Sequence, residues 1–341
     1  MHIIFSNRLI LLVAFLCSFS IFTNLSAKEI KIKFATLAPE GTPWADTLNN
    51  IKARVEKESN KEITISVFLG GQLGGELEIA QLIRRGNIQG AGLTMGALGT
   101  IIPEVDVLEF PFLFSSNEEA DFILDEYVYP FLMKECEKKQ IFLVSLAENG
   151  WRGIGHKTKM MKKLADFKGE KFRSQESKVH LDFWKTLEAS PTAISIPEVL
   201  SSLQTGIVNG FDNTLLFTLA AEWHTQIKYY SYMKHIYQPA VVIYSLKFWK
   251  GLSTQQQKIL LGQGNQLAPE IRKSVRQLET ELIDVMKKSK VEVYEPSASE
   301  RATLINIFSK KHEAMAKKMG PNALKLYKLV VEGKNKFKLK K

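Results

Sequence analysis

The stretch that decides the fold is Glu29-Ile30-Lys31-Ile32-Lys33-Phe34-Ala35, followed by Leu37-Ala38-Pro39-Glu40-Gly41-Thr42-Pro43. The first part alternates charged and apolar residues, the period of a half-buried strand. The second is a loop. Trp44 to Ser59 then carries the spacing of an amphipathic helix, and Ile63-Thr64-Ile65-Ser66-Val67-Phe68 reads as a second strand ended by Gly70-Gly71. Strand, helix, strand is the βαβ unit, which predicts a mainly parallel sheet with helices on its faces.

Working outward, a helix is expected over Glu76–Arg85, then a glycine-rich segment from Gly86 to Gly99 and a strand at Ile141–Leu146. The pattern then restarts: Phe167 to Arg173 reads as a turn feeding a strand, Lys178–Leu187 as a helix, Thr192–Ile196 as a short strand. Glu198–Thr205 reads as a helix stopped by Gly206. A capping box, Ser253-Thr254-Gln255-Gln256, opens a helical stretch running towards Lys290, with Pro269 expected to kink or split it. The reading is two α/β lobes with the chain crossing between them.

The chain has 341 residues, 45% hydrophobic and 24% charged, with 21 Gly and 11 Pro. This is ordinary globular composition, long enough for two domains and a sizeable core. Of the formal charge of +10, Arg8 supplies one, and residues 310–341, with eleven Lys against two Glu, supply nine. Residues 28–309 are therefore neutral overall. The basic excess reads as a solvated C-terminal tail, 331–341, and nucleic acid is not an expected partner.

Residues 1–27 have the layout of an export signal: a lone Arg8, an apolar Leu9–Phe22, and Leu25-Ser26-Ala27 before the expected cut. The apolar run is about 14 residues, short of the roughly 20 that span a bilayer. Cleavage after Ala27 leaves Cys136 as the one remaining cysteine, which excludes an internal disulfide and a cysteine-based metal site. No nucleophile elbow and no His-Glu-x-x-His helix occurs. Gly90-Ala91-Gly92…Gly96 misses the dinucleotide spacing, and Gly150 to Thr158 misses the phosphate-loop lysine because His156 stands in its place. No catalytic residue, cofactor or metal is expected.

Candidate anchors remain. Arg152 and Arg173 each follow or end a strand, where ligands sit in α/β lobes, and a guanidinium fork fits a carboxylate at two points. For a lone arginine a surface ion pair is the commoner explanation. Trp151, Phe211, Phe217, Trp223, Tyr229 and Tyr230 could line a cleft or fill a core.

Collinear segments then carry a resemblance. They are Phe34 to Trp44, Gly70-Gly71-Gln72-Leu73-Gly74-Gly75-Glu76, Phe110-Pro111-Phe112-Leu113-Phe114, Gly150-Trp151-Arg152, Gly169 to Arg173, Pro197-Glu198-Val199 and Ser202 to Gly210. Together they resemble the solute-binding proteins of TRAP (tripartite ATP-independent periplasmic) transporters, of the C4-dicarboxylate-binding type. The resemblance implies a two-lobe, type II-like periplasmic α/β fold, with mixed, mainly parallel sheets and a long helix crossing both lobes. The implied bounds are 28–150 with about 239–278 for lobe I, and 151–238 with about 279–330 for lobe II. It implies Arg173 as the partner of a ligand carboxylate, Arg152 as a second pocket arginine and Asn213 as completing the carboxylate site. Gln175, Trp151, Phe211, Glu76, Thr94, Met95 and Ile196 are expected around the ligand. Gln175 stands where Pro is frequent, Ile196 where Phe is frequent, and Asp212-Asn213-Thr214 where Glu-Asn-Pro is frequent. These departures open the choice between a dicarboxylate and a more apolar monocarboxylate. Expected partners are a small carboxylate and the small and large membrane subunits of a TRAP permease, served by a periplasmic monomer. An exported enzyme on the same scaffold, or an adhesion protein using the basic tail, are the alternatives.

Overall fold

A computed structural model describes residues 29–262 and 267–340. The expected export signal and its cut after Ala27 lie outside them.

Among the described residues ten strands follow in chain order: β1 Ile30–Thr36, β2 Ile63–Phe68, β3 Gly90–Thr94, β4 Ile141–His156, β5 Lys171–Ser174, β6 Ser190–Ala193, β7 Gly210–Thr214, β8 Tyr229–Ser231, β9 Tyr237–Ser245 and β10 Glu292–Tyr294. Their lateral order is β2-β1-β3-β9-β4-β7-β5-β6, with β8 on β4 and β10 on β8. Within each half the strands are parallel, β1 with β2 and β3, and β5 with β6 and β7. The halves are joined by β4 and β9, which run antiparallel to their neighbours. The sheet is thus mixed, as expected of two α/β lobes with the chain crossing between them.

Strand β4 is the joint. Read from sequence as six residues, it is 16 long, which at about 3.3 Å per residue spans roughly 50 Å. It pairs with β9 from Ile141 to Trp151 and with β7 from Arg152 to His156. Within the β9 pairing the register slips at Leu143/Ser145 and again at Glu148/Gly150, and Gly150 sits at φ +98, a conformation only glycine adopts without strain. The glycines that mimicked a phosphate loop serve packing instead: a Cβ on Gly153 or Gly155 would lie 2.5 Å from the Tyr230 ring or 2.6 Å from the Phe211 ring.

The helices Pro43–Glu58 and Glu76–Arg85 form where expected. The first is capped by Thr42 and the second closed by Gly86 in the left-handed conformation. The stretch after Ser253 is not one long helix. The capping box forms on Thr254–Leu261, but Leu267–Gln277 and Glu279–Lys288 are separate helices, and Pro269 sits in the first turn of the middle one, where its missing N–H costs least. The C-terminal lysines up to Lys340 are helical, with Lys336, Lys338 and Lys340 exposed. They belong to the helix Pro321–Lys340, whose Ala323, Leu326, Val330 and Gly333 are buried. A Cβ on Gly333 would meet Ile123 and Tyr127, and Lys334 bonds Glu119 at 2.9 Å. The helical spacing of these small and apolar residues binds the chain end onto the first lobe.

Candidate functional site

Where the two halves face each other, strand ends and the following loops enclose a cleft with about 660 Å³ of atom-free space, its open mouth included. The first lobe supplies the loop after β1 (Thr36 to Pro39, Thr42), Trp44, Glu76 and the end of β3 at Thr94; the second supplies Arg173, Gln175, Ile196, Asn213 and Phe217; the joining strands add Asn149, Arg152 and Gln238. The rims are close together: a Cβ on Gly75 would touch Ser195 at 3.6 Å, and one on Gly71 would touch Pro197 at 3.7 Å.

Of the expected residues, Arg173, Arg152, Asn213, Gln175, Glu76, Thr94 and Ile196 line this cleft. Trp151, Phe211 and Met95 do not. Side chains alternate along a strand, so with Arg152 turned into the cleft Trp151 turns away; its Nε1 bonds Asn117 Oδ1 at 2.7 Å and its ring meets the edge of Tyr237. Phe211 lies one residue pair deeper than Asn213, packed against Trp223 with ring centroids 5.1 Å apart. Met95 opens a short helical turn, is wholly buried in the first-lobe core, and only its neighbour Thr94 reaches the cleft. Trp44, Asn149, Gln238 and the loop Thr36–Ala38 were not among the expected ligand residues. The signal was present for one of them: Gln238 is a lone amide in an otherwise buried, mostly apolar strand.

The two arginines are both buried yet differ in every contact. Arg152 donates from all three nitrogens: Nε to Asp212 Oδ2 at 2.6 Å, Nη2 to the Asp212 carbonyl at 2.6 Å, and Nη1 to Gln238 Oε1 at 2.9 Å, with Gln175 and Asn213 oxygens at 3.4 Å. Arg173 donates only through Nε, to the Ile194 carbonyl at 2.9 Å. Its guanidinium lies 5.5 Å from the Trp223 ring. Among the described residues neither its two terminal nitrogens nor Asn213 Nδ2, which belongs to another residue of the cleft lining, has a hydrogen-bond partner.

The charges follow from these contacts. Burial, and then the neighbouring Arg152, pull the Arg173 guanidinium down to about 10. Burial alone would raise Asp212, but Arg152 and the His180 and His235 imidazoles hold it well below the usual carboxylate range. Across the cleft, burial pushes Glu76 up to about 7, although it accepts bonds from Thr94 N and Oγ1, both at 2.7 Å. The cleft therefore has a donor end with an unsatisfied cation, an acceptor end able to hold a proton, and an apolar wall of Leu37, Pro39, Trp44, Leu216 and Phe217.

Behind the bulge in β4, Glu148 is clamped by Arg276 at 2.6 Å and Tyr237 Oη at 2.5 Å, and Arg276 also holds Asp121 at 2.7 Å. This fixes the backbone that presents Arg152.

Residues 34–319 match the DctP family, bacterial extracellular solute-binding protein family 7. A curated relative, the 2,3-diketo-L-gulonate-binding periplasmic protein YiaO of Escherichia coli, is 25% identical over 283 residues, covering 83% of this chain and 85% of that protein. Among solved structures, a TRAP periplasmic solute-binding protein from Polaromonas sp. JS666 bound to D-erythronate superposes with a TM-score of 0.82 at 26% identity, covering 90% of this chain and 98% of the other. The sugar-acid-binding protein DctPAm of Advenella mimigardefordensis, in complex with galactonate, has the same fold at a TM-score of 0.84 and 23% identity, over 90% and 99% of the two chains. With a family match that spans most of its length, the chain belongs to the DctP family of bacterial extracellular solute-binding proteins, family 7.

Proposed function

We propose that this TRAP-type binding protein captures a small hydroxy acid with a single carboxylate between its lobes. The observation that carries the reading is Arg173: a buried guanidinium with two terminal nitrogens lacking a protein partner among the described residues. A buried, under-satisfied cation is costly unless an anion completes it. A carboxylate seated on Arg173 and on Asn213 Nδ2 supplies that anion in two-point geometry. Hydroxyls further along the ligand reach Glu76 and Asn149, and the carbon skeleton lies on Trp44, Leu216 and Phe217. Acids of this class are named for relatives: 2,3-diketo-L-gulonate, D-erythronate and galactonate.

In this reading the protein works outside the cytoplasm, released by cleavage after Ala27, as a monomer. It is a carrier and not an enzyme. The closed, loaded form is the one handed to the small and large membrane subunits of a TRAP permease, since a ligand bridging both lobes stabilises closure. Among the described residues no helix is long and apolar enough to cross a membrane.

Thermal unfolding of the purified protein against D-erythronate, D-galactonate, L-gulonate and acetate tests this. A ligand at a hundred times its dissociation constant stabilises by about 2.7 kcal/mol, a visible shift. A shift selective for the hydroxy acids and lost in Arg173→Ala supports the reading. A shift that survives in Arg173→Ala sinks it.

A further inference from the structure

Two guanidiniums line the cleft, so the number of carboxylates it can hold depends on whether Arg152 is available. Gln175 bears on that directly. Its Oε1 accepts from Gln238 Nε2 at 2.9 Å and lies 3.4 Å from Arg152 Nη1, while its Nε2 donates to Thr94 Oγ1 at 3.1 Å. Thr94 in turn bonds Glu76. One side chain of the second lobe thereby covers the arginine and reaches the first lobe. Room for it comes from Gly96, where a Cβ would lie 2.2 Å from Gln175 Nε2.

We propose that Gln175 determines the ligand class: lying over Arg152, whose nearest acceptors are Asp212 and Gln238, and reaching Thr94, it fills the place where a second carboxylate would approach that guanidinium and restricts the site to acids with one carboxylate. The inference rests on the carboxylate reading of Arg173. A second carboxylate entering the closed cleft would meet oxygens, Glu76 and the Gln175 carbonyl, where it needs donors. Each mismatch of that kind leaves a buried anion unpaired, which is how polar sites reject near-analogues. A hydroxyl at the same place finds acceptors.

The test compares D-erythronate with succinate by isothermal titration, in the wild type, Gln175→Ala and Gln175→Asn. The shorter amide keeps the polarity but cannot reach both Arg152 and Thr94. The wild type is expected to prefer erythronate. Both variants are expected to gain succinate relative to erythronate by about tenfold or more, the scale of one charge-assisted hydrogen bond. Arg152→Lys in the Gln175→Ala background should remove the gain, because a point charge does not reproduce the fork. If both acids weaken in parallel, the ratio stands still and Gln175 is a structural bridge only, which overturns the proposal while leaving the Arg173 reading intact. If the wild type prefers succinate, the single-carboxylate selection falls and the Arg173 anchor stands, which Arg173→Ala reads separately.

Discussion

Arg152 on β4 and Arg173 on β5, with β7 lying between them, are equally buried and follow equally plain sequence. One is finished and the other is not. Arg152 spends its donors on Asp212 and Gln238, and Asp212 is further flanked by His235 at 3.2 Å and His180 at 3.7 Å. Arg173 leans on an aromatic ring and one carbonyl. The difference teaches that burial of a charge does not identify a binding residue; the count of donors left without a partner does. In the proposed reading the saturated arginine holds the site's shape, and the unsaturated one takes the ligand.

Exchanging the two by the same substitution tests this most strongly. Arg152→Met breaks a buried pair and leaves Asp212 facing no cation of its own, a loss of about 3–5 kcal/mol. The unliganded protein should melt several degrees lower and bind nothing at the old melting temperature. Arg173→Met should do the reverse. Its charge is disfavoured in the folded state by burial and by Arg152, so removing it leaves unliganded stability unchanged or higher while ligand-induced stabilisation disappears. Two melting curves decide it: similar destabilisation by both substitutions would erase the distinction.

The sequence carried the frame of this site but not the distinction. Ile63–Phe68 and Glu76–Arg85 emerge with the bounds their periodicity implies, because amphipathic period and a glycine stop are local signals. Strand β4 was read only to Leu146, since Asn149-Gly150 has turn composition and nothing local announces that the chain bulges and continues. The roles of the arginines are non-local in the same way. Asp212, which closes Arg152, lies 60 residues away in the chain. Trp151, beside Arg152, was expected in the cleft, yet strand alternation excludes it once Arg152 is placed. Lys336, Lys338 and Lys340 are exposed, as their charge density implies, and what that density hides is the sparser Ala323, Leu326, Val330, Gly333 spacing that docks the helix.

A smaller effect is expected where the lobes meet. In Gly96→Ala the new Cβ would stand 2.2 Å from Gln175 Nε2 and 3.0 Å from Glu109 Oε2. The end of Gln175 can move aside, so folding survives, but closure loses its contact with Thr94. Affinity for the acid should fall by about tenfold, within the cost of modest overpacking. In a Gln175→Ala background the same substitution should cost little, a coupling that a double-mutant cycle measures. Additive losses would mean that Gly96 acts elsewhere, on Glu109.

The smallest effect lies at the acceptor end and appears as a pH dependence. Burial raises Glu76 from 4.5 to about 7, with Glu109 adding to the rise. The folded protein therefore holds this proton more tightly than the unfolded chain does. That contribution to stability is complete below about 4.5 and is lost as the pH rises to about 7. Glu76→Gln keeps the shape and cannot titrate, so the difference in stability between wild type and variant should change across this window and be flat above it. Asp106, also raised to about 7, titrates in both proteins and cancels from the difference. Affinity should follow. An ionised Glu76 repels an anionic ligand, so wild-type binding weakens a few-fold from pH 5.5 to 8, whereas Glu76→Gln binds evenly. Parallel pH profiles for the two proteins would show that Glu76 does not face the ligand, and the cleft would then be read by Arg173 alone.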